Sequence, residues 1–106
     1  MSWKEEYEAK LKTAEEAVSV VRDGCGVAYG EFAMASTFLD EAFANRVPQL
    51  KNIVLRSTTC PFPPKAVLAD PKLEHVMYND WHFSPASRKL CDAGLCRYIQ
   101  IGRAHV

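Results

Sequence analysis

The residues of this chain that could do chemistry gather in two short stretches. The first is "RDGCGVAYGEFAMAS" at 22–36. After Arg22 and Asp23 it holds three glycines and one carboxylate, that of Glu31. The second is "NDWHFSPASRKL" at 79–90, which combines Trp81, Ser84, Pro85 and Arg88. A carboxylate can act as a base or a nucleophile, and a helix N-terminus beside an arginine can hold an anion. These two stretches are therefore the candidate functional segments.

The glycines of the first stretch differ in their place relative to the predicted strand, and so in what they could bind. Gly24 and Gly26 superficially resemble a dinucleotide-binding fingerprint, but they follow a predicted helix and precede a predicted strand, which is the reverse of the required order. Gly30 lies at the carboxyl end of that strand, where ligands bind to open parallel sheets and where a glycine allows close approach of the backbone. A plain turn at Gly30 remains an equal alternative.

Each remaining candidate also has a structural explanation. Glu31 has no visible carboxylate partner, and exposed loop glutamates are common. In the second stretch, Trp81 could pack in the core, Ser84 could cap a helix and Arg88 could be exposed. No Ser/His/Asp or Cys/His catalytic order stands out along the chain.

The thiols and imidazoles form no recognisable metal pattern. The four cysteines, at positions 25, 60, 91 and 96, include no Cys-x-x-Cys pair. His75 and His82 lie between the second and third cysteines, but this spacing matches no structural zinc site. We expect reduced thiols and no metal, with a redox or metal protein as the alternative that a metal analysis would reveal.

The overall composition indicates one globular domain without a strong net electrostatic field. The chain has 106 residues, with 13 Lys plus Arg balanced by 13 Asp plus Glu. We therefore expect neither nucleic acid nor an anionic membrane as a partner. No secretory signal and no apolar run of about 18–20 residues is visible, so we expect a cytoplasmic protein.

The elements that must position these residues alternate along the chain. Apolar periodicity predicts helices over 2–11, 13–24, 37–47 and 84–94 with one further helical turn in 65–73, and strands over 26–30, 52–57, 75–79 and 96–99. A capping box of Thr13 and Glu16 starts the second helix, and Gly24 ends it. The strand "GVAYG" is predicted to be buried. The predicted inward residues of the second and third helices are Ala14, Ala17, Val18, Val21, Phe38, Leu39, Ala42 and Phe43.

This order predicts the α/β class: a mainly parallel sheet with flanking helices. The first helix would present Trp3, Tyr7 and Leu11 on one face, because they are four residues apart.

Several segments together resemble a known family. They are "WKEEY", "TAEEAV", "VRDG", "YNDWHFSPASR" and "GLCRYI", in that order and at these spacings. Over 3–99 they resemble the N-terminal region of the acetyl-CoA hydrolase/transferase family, most closely the 4-hydroxybutyrate and butyryl-CoA:acetate CoA-transferases. Members of this family are several times longer and have two related α/β halves. The resemblance thus implies that the chain is the incomplete N-terminal half of a two-half CoA-transferase.

The resemblance also implies a reaction and its participants. A glutamate of the C-terminal half attacks an acyl-CoA thioester, and the resulting glutamyl-CoA passes CoA to a small carboxylic acid. The CoA thioester is a substrate, no cofactor stays bound, and the intact enzyme would be a homo-oligomer. No glutamate of this chain matches the nucleophile, so we expect the chain alone to be inactive. It would supply one wall of the cleft, formed by Gly30, Glu31, Phe32, Ala33, Met34, Trp81, Ser84, Pro85 and Arg88.

Two alternatives accompany this interpretation. The chain could be a stand-alone small α/β ligand-binding module, or it could come from an acetyl-CoA hydrolase of the same family. A compact monomer that unfolds cooperatively would favour the module.

The last seven residues, "QIGRAHV" at 100–106, depart from the family pattern. They correspond to the codons CAG ATC GGA AGA GCA CAC GTC, which from the second base onward match a common short-read sequencing adapter. We expect the native sequence to end at 99, with 100–106 as a non-native read-through tail. Ordinary codons unrelated to the adapter would contradict this hypothesis.

Overall fold

A computed structural model describes residues 2–99 of the chain. The helices are α1 (Trp3–Lys10), α2 (Ala14–Val18), α3 (Thr37–Arg46), α4 (Lys65–Leu68) and α5 (Pro85–Asp92). The strands are β1 (Gly26–Glu31), β2 (Ile53–Thr58), β3 (Val76–Asp80) and β4 (Arg97–Tyr98). Short 3-10 turns occupy Phe32–Met34 and Val47–Gln49. The predicted α/β class is confirmed, and the predicted tail at 100–106 lies outside the described residues.

The four strands form one parallel sheet in the order β1-β2-β3-β4. Successive strands are joined by α3, α4 and α5 in turn, so each connection is a crossover to the neighbouring strand. Alternate strand residues show that these helices cover one face: Ile53 and Leu55 are 1% and 0% exposed, whereas Met77 on the other face is 40% exposed. The core therefore lies between one face of the sheet and the helices.

The helix starts follow from capping residues. Thr13 Oγ1 accepts from the backbone N–H of Glu16 at 3.1 Å, which confirms the predicted capping box. The helix ends earlier than predicted, at Val18 rather than near Gly24. The Arg46 guanidinium donates to the carbonyls of Val18 and Val21 at 2.6 and 2.7 Å, so these carbonyls are satisfied without further helical turns.

Helix α1 buries none of its residues. It is started by the capping box of Ser2 and Glu5, and its predicted apolar face is open to solvent, with Trp3 81%, Tyr7 59% and Leu11 60% exposed. No helix within residues 2–99 is long and apolar enough to cross a membrane.

Some predicted inward positions are wrong. Phe38 and Leu39 of α3 are 72% and 42% exposed, and the neighbouring Asp40 is buried at 1% instead. Asp40 faces inward because its carboxylate finds hydrogen-bond donors there. In α2, Ala17 is exposed. Val21 lies beyond the end of the helix but is partly buried and packs against the core, so its inward position is confirmed. The strand predicted as buried, β1, is only partly covered, because it is an edge strand of the described sheet.

The buried carboxylate of Asp40 joins three parts of the fold. Its Oδ2 accepts from the backbone N–H of Lys65 at 2.7 Å, and its Oδ1 accepts from that of Ala66 at 3.2 Å and from the Tyr29 hydroxyl. Helix α4 begins after Pro64 without a side-chain cap of its own, so Asp40 satisfies its first free N–H groups. Burial, and then the bond to Asp40, raise the pKa of Tyr29 far above its usual value, so this hydroxyl remains a donor.

We expect Asp70 to make the stability of the fold depend on pH. It is 3% exposed, and its carboxylate accepts from the backbone N–H groups of Glu74, His75 and Val76 at 3.0, 2.8 and 2.8 Å. Burial alone would raise the pKa of Asp70, but these three donors hold it below its ordinary value of 3.8.

We therefore expect the chain to lose stability in acid at Asp70. A lowered folded pKa gives a stabilisation that is fully present above the unfolded pKa and disappears as the pH falls through the folded pKa. Urea unfolding of wild type and Asp70→Asn at pH 7 and pH 3 measures this difference. The free-energy gap between the two proteins should shrink at pH 3, and a gap of constant size would contradict the prediction.

Candidate functional site at the carboxyl edge of the sheet

The carboxyl ends of all four strands meet at one edge of the sheet. The strands end at Glu31, Thr58, Asp80 and Tyr98, and parallel pairing brings these ends side by side. The loops that follow β1 and β3 carry the two segments that the sequence singled out. Ligands of open parallel sheets bind outside this edge.

The loop after β1 is built on a close backbone approach at Gly30. A Cβ placed on Gly30 would lie 2.8 Å from Met34 Cβ and 2.9 Å from the Met34 carbonyl oxygen. The chain then turns through Phe32, which adopts the left-handed region at φ 53. Phe32 and Met34 are 52% and 80% exposed, so the turn presents apolar side chains to solvent. A non-glycine residue at positive φ costs energy, and such residues cluster at functional sites.

The loop after β3 is tied to the end of β2 by polar contacts. Asp80 Oδ1 accepts from the backbone N–H of Thr59 at 3.1 Å and from that of His82 at 3.2 Å. The Trp81 indole N–H donates to Thr58 Oγ1. Thr59 Oγ1 lies 2.9 Å from His82 Nδ1. These contacts fix Trp81 across the carboxyl edge.

Asp80 is a buried carboxylate, and only one of its two oxygens accepts hydrogen bonds within residues 2–99. It is fully buried, and its Oδ2 has no hydrogen-bond partner among residues 2–99. Burial raises the pKa of the neighbouring Cys96 thiol to about 12, with the charge of Asp80 as the next cause. Burial likewise raises the pKa of Cys60. These two thiols are therefore protonated at neutral pH and are poor nucleophiles.

A cavity of about 350 Å³ lies at the carboxyl edge, beside β1, β2 and β3. It brings together Glu31 and Trp81, one from each predicted segment. Among residues 2–99, Glu31 is the only acidic lining residue and Arg56 the only basic one. The described residues that line it are Ala28, Tyr29, Glu31, Arg56, Ser57, Thr58, Asn79, Trp81 and Ile99.

A second cleft of about 280 Å³ lies between β1, α2 and α3. Gly30 and Met34 line it together with Val27, Leu39 and Phe43. Its lining is almost wholly apolar. The loop at 30–34 thus separates a polar cavity from an apolar one.

The other predicted residues do not line these two cavities. Ser84 is 4% exposed, caps α5 and donates to the carbonyl of Cys60 at 2.5 Å, which is a structural role. Pro85 is the first residue of α5, and Arg88 is exposed on the same helix. Phe32 and Ala33 are exposed on the turn between the cavities. Of the predicted set, the structure brings together Glu31 and Trp81 at one cavity and Gly30 and Met34 at the other.

Sequence reasoning missed five polar side chains of this cavity: Tyr29, Arg56, Ser57, Thr58 and Asn79. Arg56 and Thr58 alternate along β2, and Asn79 is the register partner of Arg56 on β3. The polar residues in the otherwise apolar strands at 52–57 and 75–79 were the available signal. Within residues 2–99 no cluster of three or more metal-ligating side chains occurs.

Comparison with known proteins finds curated relatives among CoA-transferases. Butyryl-CoA:acetate CoA-transferase of Anaerostipes caccae is 40% identical over 101 residues, which cover 95% of this chain and 23% of that enzyme. A probable butyrate:acetyl-CoA coenzyme A-transferase of Syntrophomonas wolfei is 33% identical over 91 residues, 86% of this chain and 20% of that protein. No protein-family model matches the chain.

Solved structures agree on the fold. RipA from Yersinia pestis matches with a TM-score of 0.78 at 21% identity, over 96% of this chain and 26% of RipA. An acyl-CoA transferase of Escherichia coli O157:H7, YdiF, in a thioester complex with CoA, matches with a TM-score of 0.59 at 19% identity, over 85% and 20% of the two chains.

The resemblance predicted from the sequence is thereby confirmed. The chain is related to CoA-transferases of the butyryl-CoA:acetate type over nearly its whole length. It spans about a fifth to a quarter of the length of the curated relatives that it matches.

Proposed function

We propose that residues 1–99 are the N-terminal part of a CoA-transferase that moves CoA between an acyl-CoA and a carboxylic acid. The acids we propose are 4-hydroxybutyrate, butyrate or acetate, and the enzyme would work in the cytoplasm as a homo-oligomer. The observation that carries this proposal is the 40% identity to a butyryl-CoA:acetate CoA-transferase over 95% of the chain. Residues 100–106 are not part of the proposed domain.

The proposed reaction divides the work between two parts of the enzyme. A glutamate outside this chain attacks the thioester carbonyl, and the CoA thiolate leaves as an acyl-glutamyl anhydride forms. The thiolate then attacks the glutamyl carbonyl of this anhydride, which forms glutamyl-CoA and releases the first carboxylate. The second carboxylate then attacks glutamyl-CoA and the same steps run in reverse. They transfer CoA to the second acid and regenerate the glutamate. Nucleophilic catalysis of this kind splits one difficult exchange into easier steps.

Glu31 is a poor candidate for that nucleophile. Its side chain is exposed, and its carboxylate accepts no hydrogen bond from another residue of the 2–99 region. An activated carboxylate needs neighbours that position it and adjust its basicity. We therefore assign Glu31 to the lining of the cleft.

The carboxyl edge would form one wall of the active-site cleft. Trp81, held by Thr58, offers a flat apolar surface that is 37% exposed, and the turn at Phe32–Met34 offers the exposed side chains of Phe32 and Met34. Arg56 supplies a positive charge in the same cavity. A thioester with a charged CoA moiety and a short acyl chain needs both kinds of surface.

Activity should require the rest of the enzyme. We expect the 106-residue chain alone to form no acetyl-CoA from butyryl-CoA and acetate. A chimera in which residues 3–99 replace the matched stretch of the Anaerostipes caccae enzyme should restore transfer, and the same enzyme with that stretch deleted is its control. Transfer by the isolated chain would contradict the proposed division of work.

The same chimera distinguishes the related alternatives. Release of free CoA without any acceptor acid would favour an acetyl-CoA hydrolase. A chimera that folds but neither transfers nor hydrolyses would favour a stand-alone ligand-binding module, which a compact, cooperatively unfolding monomer of the 106-residue chain would also support.

A further inference from the structure

The imidazole of His82 is held at the carboxyl edge by an anchored backbone. His82 follows Trp81 in the loop after β3, and its side chain is exposed. Its backbone N–H donates to Asp80 Oδ1 at 3.2 Å, and the same oxygen accepts from the backbone N–H of Thr59 at 3.1 Å. Because Asp80 is fully buried, this shared acceptor fixes the loops after β2 and β3 against each other.

The hydroxyl of Thr59 determines which ring nitrogen of His82 carries the proton. Thr59 Oγ1 donates to the His82 carbonyl oxygen at 2.5 Å, and it lies 2.9 Å from His82 Nδ1. A hydroxyl has one proton to donate, so the second contact requires Nδ1 to be the donor and Oγ1 the acceptor. In a neutral imidazole the other nitrogen is then unprotonated. The hydrogen-bond network thus makes Nε2 an acceptor.

Thr59 holds its hydroxyl in this place with a strained backbone. It directly follows β2 and adopts the left-handed region at φ 51. A β-branched residue rarely adopts this conformation, and such outliers cluster at functional sites. The strained position favours a functional role for the hydroxyl that Thr59 carries.

The unprotonated Nε2 determines which ligand groups His82 can recognise. Within residues 2–99, no hydrogen bond to Nε2 is present. A neutral acceptor binds N–H or O–H groups and is repelled by carboxylate oxygens. Butyrate, acetate and the thioester carbonyl offer no such donor, whereas the pantetheine arm of CoA carries amide N–H groups and a hydroxyl. This arm ends at the thioester sulfur, and the adjacent Trp81 lines the cavity at this edge.

We propose that His82 Nε2 accepts a hydrogen bond from the pantetheine arm of the acyl-CoA, and that Thr59 is the positioning residue that fixes the tautomer of His82. This inference rests on the proposed function, since it assumes that the carboxyl edge faces an acyl-CoA. It adds a substrate-contacting residue that belongs neither to the described cavity lining nor to the cleft wall predicted from the sequence.

The tautomer is tested on the 106-residue chain alone. Long-range proton–nitrogen NMR spectra distinguish protonated from unprotonated ring nitrogens, and about pH 8 suits them because imidazoles are ordinarily neutral there. We expect protonated Nδ1 and unprotonated Nε2 on His82 in wild type and in Thr59→Ser, which keeps the hydroxyl. Thr59→Val, which has nearly the same shape without the hydroxyl, should lose this preference.

His75 is the internal control for these spectra. Its Nδ1 lies 2.7 Å from the Leu50 carbonyl oxygen, which can only accept, so His75 should keep a protonated Nδ1 in all three proteins. The His82→Phe spectrum identifies the resonances of His82 by their loss. A protonated Nε2 on His82 in wild type overturns the inference and leaves the proposed function standing.

The contact itself is tested by calorimetric titration of the chimera that carries residues 3–99. We expect His82→Phe to bind CoA about tenfold more weakly, which corresponds to the loss of one hydrogen bond. Its affinity for adenosine 3′,5′-bisphosphate, which lacks the pantetheine arm, should be unchanged. His82→Gln, which can present a carbonyl oxygen as acceptor, should retain most of the affinity for CoA, and Thr59→Val should weaken CoA binding in the same direction as His82→Phe.

The outcomes separate this inference from the proposed function. Equal CoA affinity of wild type and His82→Phe, or an equal loss for CoA and the bisphosphate, overturns the inference. A chimera that binds CoA in a His82-dependent way but transfers none supports the inference and counts against the proposed function. A chimera that transfers CoA but binds it equally well with His82→Phe overturns the inference alone, and a wild-type chimera that binds no CoA contradicts both.

Discussion

Replacing Asp40 by alanine is expected to destabilise the domain by about 3–4 kcal/mol, a large part of the 5–15 kcal/mol typical of a domain. The substitution removes the acceptor of Tyr29, Lys65 and Ala66 at a position that is 1% exposed. Two backbone N–H groups and a hydroxyl would then lose their acceptor, and the N–H of Ala66 would be left buried. Each buried group without a partner costs about 1–3 kcal/mol before relaxation. Denaturant unfolding monitored by tryptophan fluorescence measures the loss.

The neighbouring Glu41 provides the control for Asp40. Its carboxylate also approaches Lys65, at 3.7 Å from Nζ, but both side chains are more than half exposed. Exposed ion pairs contribute about 0–1 kcal/mol, so Glu41→Ala should change stability little. A similar loss in the two variants would show that Asp40 acts by its charge alone and not by its buried hydrogen bonds.

Replacing Gly30 by alanine is expected to displace the turn at Phe32–Met34 and to cost about 1–3 kcal/mol. The new Cβ would lie 2.8 Å from Met34 Cβ and 2.9 Å from the Met34 carbonyl oxygen, distances that real Cβ atoms do not tolerate. Because one of these atoms belongs to the backbone, the loop itself must move. Unfolding experiments measure the cost, and transfer by the chimera proposed above should fall with the altered cleft wall.

Gly26 is the matched control, since it lies in the same strand and a Cβ there would meet nothing within 4 Å. Gly26→Ala should be neutral or stabilising by up to about 1 kcal/mol, because alanine restricts the unfolded chain more than glycine does. If both glycine variants were equally stable, close packing at Gly30 would not be the reason for its glycine.

Local sequence patterns predicted the elements well because the physics behind them is local. The capping residues Thr13 and Ser84 act on their own neighbourhoods, and the alternation of helices and strands predicted the parallel sheet. The end of α2 could not be predicted in this way. It depends on Arg46, which lies 28 residues from Val18 along the chain.

The candidate site was predictable only in part, for a related reason. Gly30, Glu31 and Trp81 stand at the ends of recognisable strands, so the parallel arrangement alone places them at one edge. Arg56 and Asn79 become neighbours through the register of β2 and β3, which no short segment contains. The apolar periodicity of α3 could not predict that Asp40 faces inward. A buried carboxylate is favourable only when donors from distant parts of the chain reach it.

The order of the strands has a consequence for how the chain is made. Gly26 pairs with Val54, Ile53 with Val76 and Asn79 with Arg97, so paired residues are 28, 23 and 18 positions apart. Each strand finds its partner soon after both have left the ribosome, and short separations favour fast folding. The sheet can therefore assemble strand by strand during synthesis, each new strand adding to the edge formed by the one before it.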